Sequence, residues 1–264
     1  MQITAHTPTV LVVEIEMLST PLDSSIINAA VTQYWRVSVV ELTTSTQSDV
    51  VAQVQKGNAQ TGDVIATEFQ SAGRGRLNRS FDAPHSTALL FSFYIQPQRD
   101  RQDWGWLPLI AGASVAQTLS QYGAQVKWPN DVLINDKKVS GLIAEVAGDG
   151  VVIGIGINVA MAISELPVPT ATSLLIEGAK NLTRNQLLAD LLNTFEGNFT
   201  PWDQGDNEIA EQYLALSATV GSKVRVEYPD GRTEIALAVA ISPKGELVLD
   251  SGALVQAGDI VHLR

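Results

Sequence analysis

Apolar and polar positions along the chain divide it into short strands and a few helices. Weak periodicity over residues 1–33 leaves room for a short helix around residues 24–34. Apolar runs at residues 36–41, 64–69 and 88–94 read as strands. Between the first two, the polar turn at residues 43–48 predicts a cap and a helix over residues 49–56, stopped by Gly57. No Lys, Arg, Asp or Glu occurs from Trp104 to Val126, where Leu107, Ile110, Ala111, Val115, Leu119 and Tyr122 recur at helical spacing. Gln117, Ser120, Gln121 and Gln125 interrupt this stretch, so it reads as a buried amphipathic helix and not as a membrane span, which wants about twenty mostly apolar residues. Strand-like runs follow at residues 132–134, 139–146 and 151–159, and helical spacing returns at residues 187–195 and 209–216.

From Thr219 onward the texture changes to short β-rich runs, separated by Pro229-Asp230-Gly231, Pro243-Lys244-Gly245 and Ser251-Gly252. Such spacing predicts a small all-β barrel. The expected organisation is therefore two domains, residues 1–218 and 219–264. The larger has the α+β class, a mixed or antiparallel sheet with helices on one side.

Composition narrows the functions available. With 45% apolar and 17% charged residues in 264, the chain can bury a large core and is not disordered. Its net charge of −11 argues against nucleic-acid partners, which reward clustered positive charge. The absence of cysteine removes disulfides, zinc–thiolate sites and thiol nucleophiles together. The first basic residue is Arg36, so the amino end lacks the positive region of a secretory signal; a cytoplasmic location with no membrane partner is expected.

Against that acidic background the loop at residues 70–82 reverses the local sign, holding Arg74, Arg76 and Arg79 within Gly73-Arg74-Gly75-Arg76-Leu77-Asn78-Arg79. Guanidinium groups beside flexible glycines can grip phosphate oxygens. On its own the loop reads equally as a solvated surface loop whose arginines pair with nearby carboxylates. It is not a Walker A loop, and Gly154-Ile155-Gly156-Ile157-Asn158 is not a dinucleotide fingerprint, because no third glycine follows. Lys127-Trp128-Pro129-Asn130-Asp131 places an amide and a carboxylate in a rigid turn between two apolar runs. A hairpin from Val132 to Val139 would return Lys138 toward Asp131; the plainer alternative is a hairpin with solvated lysines at its tip.

Taken in order, Ser45-Thr46-Gln47, Gln70 with the loop from Gly73 to Phe81, Lys127–Asp131, Lys138-Val139-Ser140-Gly141 and Gly154–Asn158 resemble the motifs of the biotin protein ligases. The resemblance implies a class II synthetase-like catalytic domain followed by an SH3-like barrel. It implies a two-step ligase reaction: biotin and ATP, with Mg²⁺, give biotinyl-5′-AMP, and the biotinyl group then passes to one lysine of a biotin carboxyl carrier protein domain of a carboxylase. It further implies that Ser45, Thr46, Gln47 and Gln70 line the biotin head group, with Gly141 offering backbone. Arg74, Gly75 and Arg76 cover biotin and the α-phosphate, and Arg79 holds phosphates. Lys127, Asn130 and Asp131 sit on the ATP and Mg²⁺ side, Phe81 stacks on adenine, and Asn158 reaches adenine or ribose. Lys138 contacts the reacting carboxylate or phosphate, and Asp131 takes a proton from the acceptor lysine. No protein metal ligand is identified, and the resemblance admits a homodimer.

The chain departs from the family pattern at Gln47, where Asn is usual, at Asn78, where Gly is usual, and at Phe81, where Trp often stands. None of these removes a charge that the chemistry needs. Biotin's carboxylate is ionised at neutral pH and needs positioning and charge cancellation in place of a general base. This suits a chain whose histidines, His6, His85 and His262, read as structural or exposed. A lipoate or octanoate ligase is the alternative enzyme. A bifunctional biotin-dependent repressor is less expected, since only 44 residues precede Ser45.

Overall fold

A computed structural model describes residues 15–76, 79–256 and 258–263. Two sheets organise it. The larger has seven strands in the order β1-β2-β3-β7-β6-β5-β4: β1 (Arg36–Thr43), β2 (Asp63–Gln70), β3 (Ala88–Ile95), β4 (Gln125–Lys127), β5 (Asp131–Ile134), β6 (Lys137–Ala147) and β7 (Gly150–Asn158). Only β1 and β2 run parallel, so the sheet is mixed, as expected.

Helices gather around this sheet: α1 (Ser24–Ala30), α2 (Thr46–Gln55), α3 (Leu107–Thr118), α4 (Arg184–Asp203) and α5 (Glu208–Leu216). Side chains alternate across a strand, and β7 shows the consequence. Ile153, Ile155 and Ile157 enter the main core with α3 and α4, while Gly154 and Gly156 face the other way. Helix α2 lies on that second face, where Val50 and Val51 pack on Ile65, Tyr94 and Val152, so helices flank both faces of the sheet and not one side as expected. The uncharged stretch forms α3, but not as an amphipathic helix. Leu107 and residues 109–116 are buried on all sides of it, since sheet, α4 and α5 enclose it together. Among the described residues, no helix is long and apolar enough to cross a membrane.

The second sheet is antiparallel, in the order β11-β10-β9-β8-β12, from β8 (Lys223–Glu227), β9 (Thr233–Ile241), β10 (Leu247–Leu249), β11 (Leu254–Val255) and β12 (Asp259–His262). Its three expected turns each close on a glycine of positive φ: Gly231, Gly245 and Gly252. Val224, Val226, Ala238 and Leu247 join the same apolar cluster as the large sheet. The Trp106 indole donates to Pro243 O at 3.0 Å and the Trp128 indole to Gly245 O at 3.1 Å. Gly105 allows this contact, because a Cβ there would lie 2.2 Å from Lys244 O.

Candidate active site

Helix α2 begins at the floor of a cleft. Ser45 is its N-cap, yet the Ser45 hydroxyl makes no capping bond and is buried with no partner. Thr46 and Gln47 form the first turn. The Thr46 N–H and hydroxyl both donate to Gln70 Oε1, at 2.8 and 3.1 Å, and the hydroxyl meets Ser92 Oγ at 2.9 Å. Gln47 donates to Val152 O at 3.1 Å, which leaves its Oε1 buried and unpaired. Two buried acceptors without donors, on one helix end, are a site that awaits a polar ligand.

The glycines of β7 supply the space. A Cβ at Gly154 would come within 2.6 Å of Gln47 Oε1, and one at Gly156 within 2.6 Å of the Phe81 ring. Phe81 is therefore a wall of the cleft, packed beside Ala83, Leu90 and Met161.

Lys138 reaches this cleft because of a β-bulge. Asn135 and Asp136, at φ of 50° and 63°, turn β5 into β6. Val132 then opposes Ser140, but Leu133 opposes Lys138, so Val139 is an extra residue. That insertion brings Lys138 to the face occupied by Gly141, whose absent side chain the lysine fills: a Cβ there would lie 2.9 Å from Lys138 Nζ. Lys138 Nζ stands 2.6 Å from Asp131 Oδ1, the hairpin geometry expected.

The arginine loop closes the cleft between β2 and β3. Gly75 N–H donates to Arg79 O at 2.7 Å and Phe81 N–H to Gly73 O at 3.0 Å. Arg74 pairs with Glu145 at 3.0 Å, and Arg79 pairs with Asp259 of β12. The solvated-loop alternative is thus half realised: two of the loop's arginines do meet carboxylates. Arg76 meets an amide, donating to Asn130 Oδ1 at 2.8 Å, while Asn130 Nδ2 donates to Leu142 O at 2.9 Å. Burial pushes the Arg76 pKa down, and Asp259 and Asp131 partly restore it; the guanidinium keeps its charge.

Ser45, Thr46, Gln47, Gln70, Arg74, Gly75, Arg76, Arg79, Phe81, Asn130, Asp131, Lys138 and Gly141 therefore line one cleft. Two expected residues do not. Lys127 opposes Asp131 in the β4–β5 ladder, but its charge bears on His262, whose pKa is lowered by burial and then by Lys127. Asn158 is buried past the end of the cleft, where its Nδ2 donates to Thr172 O at 2.9 Å and its carbonyl accepts from Leu174 N–H. It braces the segment after β7. His85 pairs with Glu41, and His262 meets Thr219, so neither enters the cleft. Asn78 and His6 lie outside the described residues.

Two cleft residues, Ser92 and Asp259, and the partner of Arg74 outside the cleft, Glu145, escaped sequence reasoning. Ser92 and Glu145 sit on apolar strands with no local motif, and Asp259 is 180 residues from its partner. Gly154 and Gly156 did carry a signal, two glycines of equal parity in an isoleucine strand.

Comparison with known proteins agrees with this geometry. The model of the biotin/lipoate A/B protein ligase family matches residues 39–160. The biotin–[acetyl-CoA-carboxylase] ligase of Mycobacterium tuberculosis is 39% identical over 241 residues, covering 87% of this chain and 90% of that one. The bifunctional ligase/repressor BirA of Escherichia coli is 28% identical over 83% of this chain and 71% of its own length. Among solved structures, the biotin protein ligase of Aquifex aeolicus in complex with biotin and ATP superposes with a TM-score of 0.73 at 27% identity, covering 86% of this chain and 98% of that one. The chain belongs to the biotin protein ligases of the biotin/lipoate A/B protein ligase family.

Proposed function

We infer that this chain is the ligase that joins biotin to ATP as biotinyl-5′-AMP and then transfers the biotinyl group to one lysine of a carboxylase's biotin carboxyl carrier domain. The observation that carries this reading is that Arg76 and Lys138, from separate stretches, face one cleft whose floor holds the unpaired acceptors of Ser45 and Gln47. The Gln47 amide oxygen suits the ureido N–H groups of biotin. Biotin's chain then directs its carboxylate toward Lys138 and Arg76.

In the first step a carboxylate oxygen attacks the α-phosphorus, and the bond to the β-phosphate oxygen breaks to release pyrophosphate. Both reactants are anions, so the barrier contains their mutual repulsion. Cations fixed in a half-buried cleft offset it where charge develops. Arg76 is available at once because its partner is an amide. Lys138 becomes available as its contact with Asp131 is exchanged for the incoming anion.

Mg²⁺ enters this reading as MgATP. Asp131, Glu145 and Asp259 are each paired with a cation, and no cluster of three His, Asp or Glu side chains gathers among the described residues. The ion would arrive with the triphosphate, and Asn130 and Asp131 are the cleft residues that would help hold it. In the second step the acceptor amine attacks the acyl carbon and AMP leaves. Asp131, beside Lys138, is a carboxylate of the cleft that can take the amine's proton.

The test is exchange of labelled pyrophosphate into ATP. Exchange that requires biotin is the expected result. Exchange supported by octanoate or lipoate but not by biotin would overturn the reading in favour of the sister enzymes.

A further inference from the structure

One side chain of the C-terminal sheet enters the cleft. Asp259 opens β12, opposite Glu227 of β8, and its carboxylate lines the cleft with 23% of the side chain exposed. It meets the guanidinium of Arg79, itself 68% exposed. Arg79 is joined through its backbone to the opposite arm of the arginine loop: its carbonyl accepts from Gly75 N–H at 2.7 Å, and its N–H donates to Arg76 O at 3.1 Å. A pull on Arg79 is therefore felt at Gly75 and Arg76, and at Arg74 beside them. The same carboxylate also favours the charged form of Arg76.

We propose that Asp259 is a positioning residue: it tethers Arg79 to the C-terminal sheet and so fixes Arg74 and Arg76 over the cleft, Arg79 serving the activation step by holding the loop and not by binding phosphate. This deepens the reading that the cleft joins biotin to ATP, and rests on it. The C-terminal sheet then acts in the chemistry through one ion pair. A cation held in place before the substrates arrive loses less freedom when they bind.

The test is a charge swap in the full chain. It is read by biotin-dependent pyrophosphate exchange and, with no substrate present, by amide hydrogen exchange across residues 73–81. Asp259→Asn is expected to slow pyrophosphate exchange about five-fold, the modest effect of a partly exposed pair, and to speed amide exchange in the loop. Arg79→Asp and Asp259→Arg should each be slower by about ten-fold or more, since like charges then face each other. The double variant Arg79→Asp/Asp259→Arg should return to within about three-fold of the unaltered chain. A double variant no faster than Arg79→Asp overturns the proposal, because the cation at that position is then needed for its own sake.

If the swapped pair does not fold, the neutral cycle of Arg79→Gln and Asp259→Asn decides. A double variant no slower than the slower single supports the tether, and losses that multiply overturn it. The unaltered chain runs alongside. Should it exchange no pyrophosphate, the ligase reading fails, and the loop's amide exchange in Asp259→Asn judges the tether alone: faster supports it, unchanged overturns it.

Discussion

Four cations line the cleft, and their partners set them apart. Arg74, Arg79 and Lys138 meet Glu145, Asp259 and Asp131, so much of their field is cancelled while those contacts hold. Arg76 donates to the neutral Asn130 amide, and Asp259 and Asp131 offset its charge only through their field. Arg76→Ala is accordingly expected to slow biotinyl-adenylate formation by about a hundred-fold or more, while the melting temperature stays close to that of the unaltered chain. Single-turnover assays with labelled ATP and a thermal melt check both halves. At this scale the sequence was informative where chemistry is local: the arginine loop, the Ser45–Gln47 turn and Asn130–Asp131 all reach the cleft. A motif can also run past the cleft. Lys127 and Asn158 adjoin cleft residues in sequence, but strand pairing and the brace on Thr172 carry them elsewhere. Asp259 had no local signal, because an ion pair between distant residues is created by the fold.

Elements were legible where periodicity and turn chemistry agree. Six strands of the large sheet and the glycine turns of the small one fall where the pattern puts them; β4 (Gln125–Lys127) does not, since it begins inside the uncharged stretch read as a helix. The bulge at Val139 does not show in the pattern, since one extra residue leaves the apolar run unbroken; yet it decides which face Lys138 takes. Helix α3 shows the opposite limit: helical spacing reveals one apolar stripe, but enclosure by sheet and helices buries the whole circumference. The joint between the two sheets rests on backbone contact at Gly105. Gly105→Ala would force a Cβ to 2.2 Å from Lys244 O, which no rotamer can relieve. The expected cost is about 1–3 kcal/mol, visible as a lowered denaturation midpoint; an unchanged midpoint would show that this contact does not hold the sheets together.

Across the whole molecule, one buried ion pair gathers distant segments. Arg184 of α4, fully buried, holds Glu68 of β2 at 2.6 Å and donates to Thr20 O at 2.9 Å and Ala88 O at 3.2 Å. Glu68 also accepts from Leu22 N–H at 2.5 Å and from Ser86 Oγ at 2.9 Å. Burial pushes the Glu68 pKa up, but the Leu22 amide, the Arg184 charge and the Ser86 hydroxyl outweigh it and leave the carboxyl below its ordinary range. A carboxyl lowered by folding contributes stability above its unfolded pKa and loses it as pH falls. Stability should therefore decline as pH drops below about 4.3, the unfolded value. Glu68→Gln should flatten that acid limb and, by leaving Arg184 buried and unpaired, cost about 3–5 kcal/mol at neutral pH. Urea titrations at several pH values check both; an acid limb as steep as before would assign it to other carboxylates.

The central claim concerns two anions joined in one cationic cleft and delivered to a lysine, and intact-mass measurement of the acceptor tests it most directly. Incubated with this chain, biotin, MgATP and a biotin carboxyl carrier domain, the carrier should gain the mass of one biotinyl group, on one lysine, and gain nothing when either biotin or ATP is withheld. A carrier that stays unmodified with all components present, beside a well-folded chain, would contradict it.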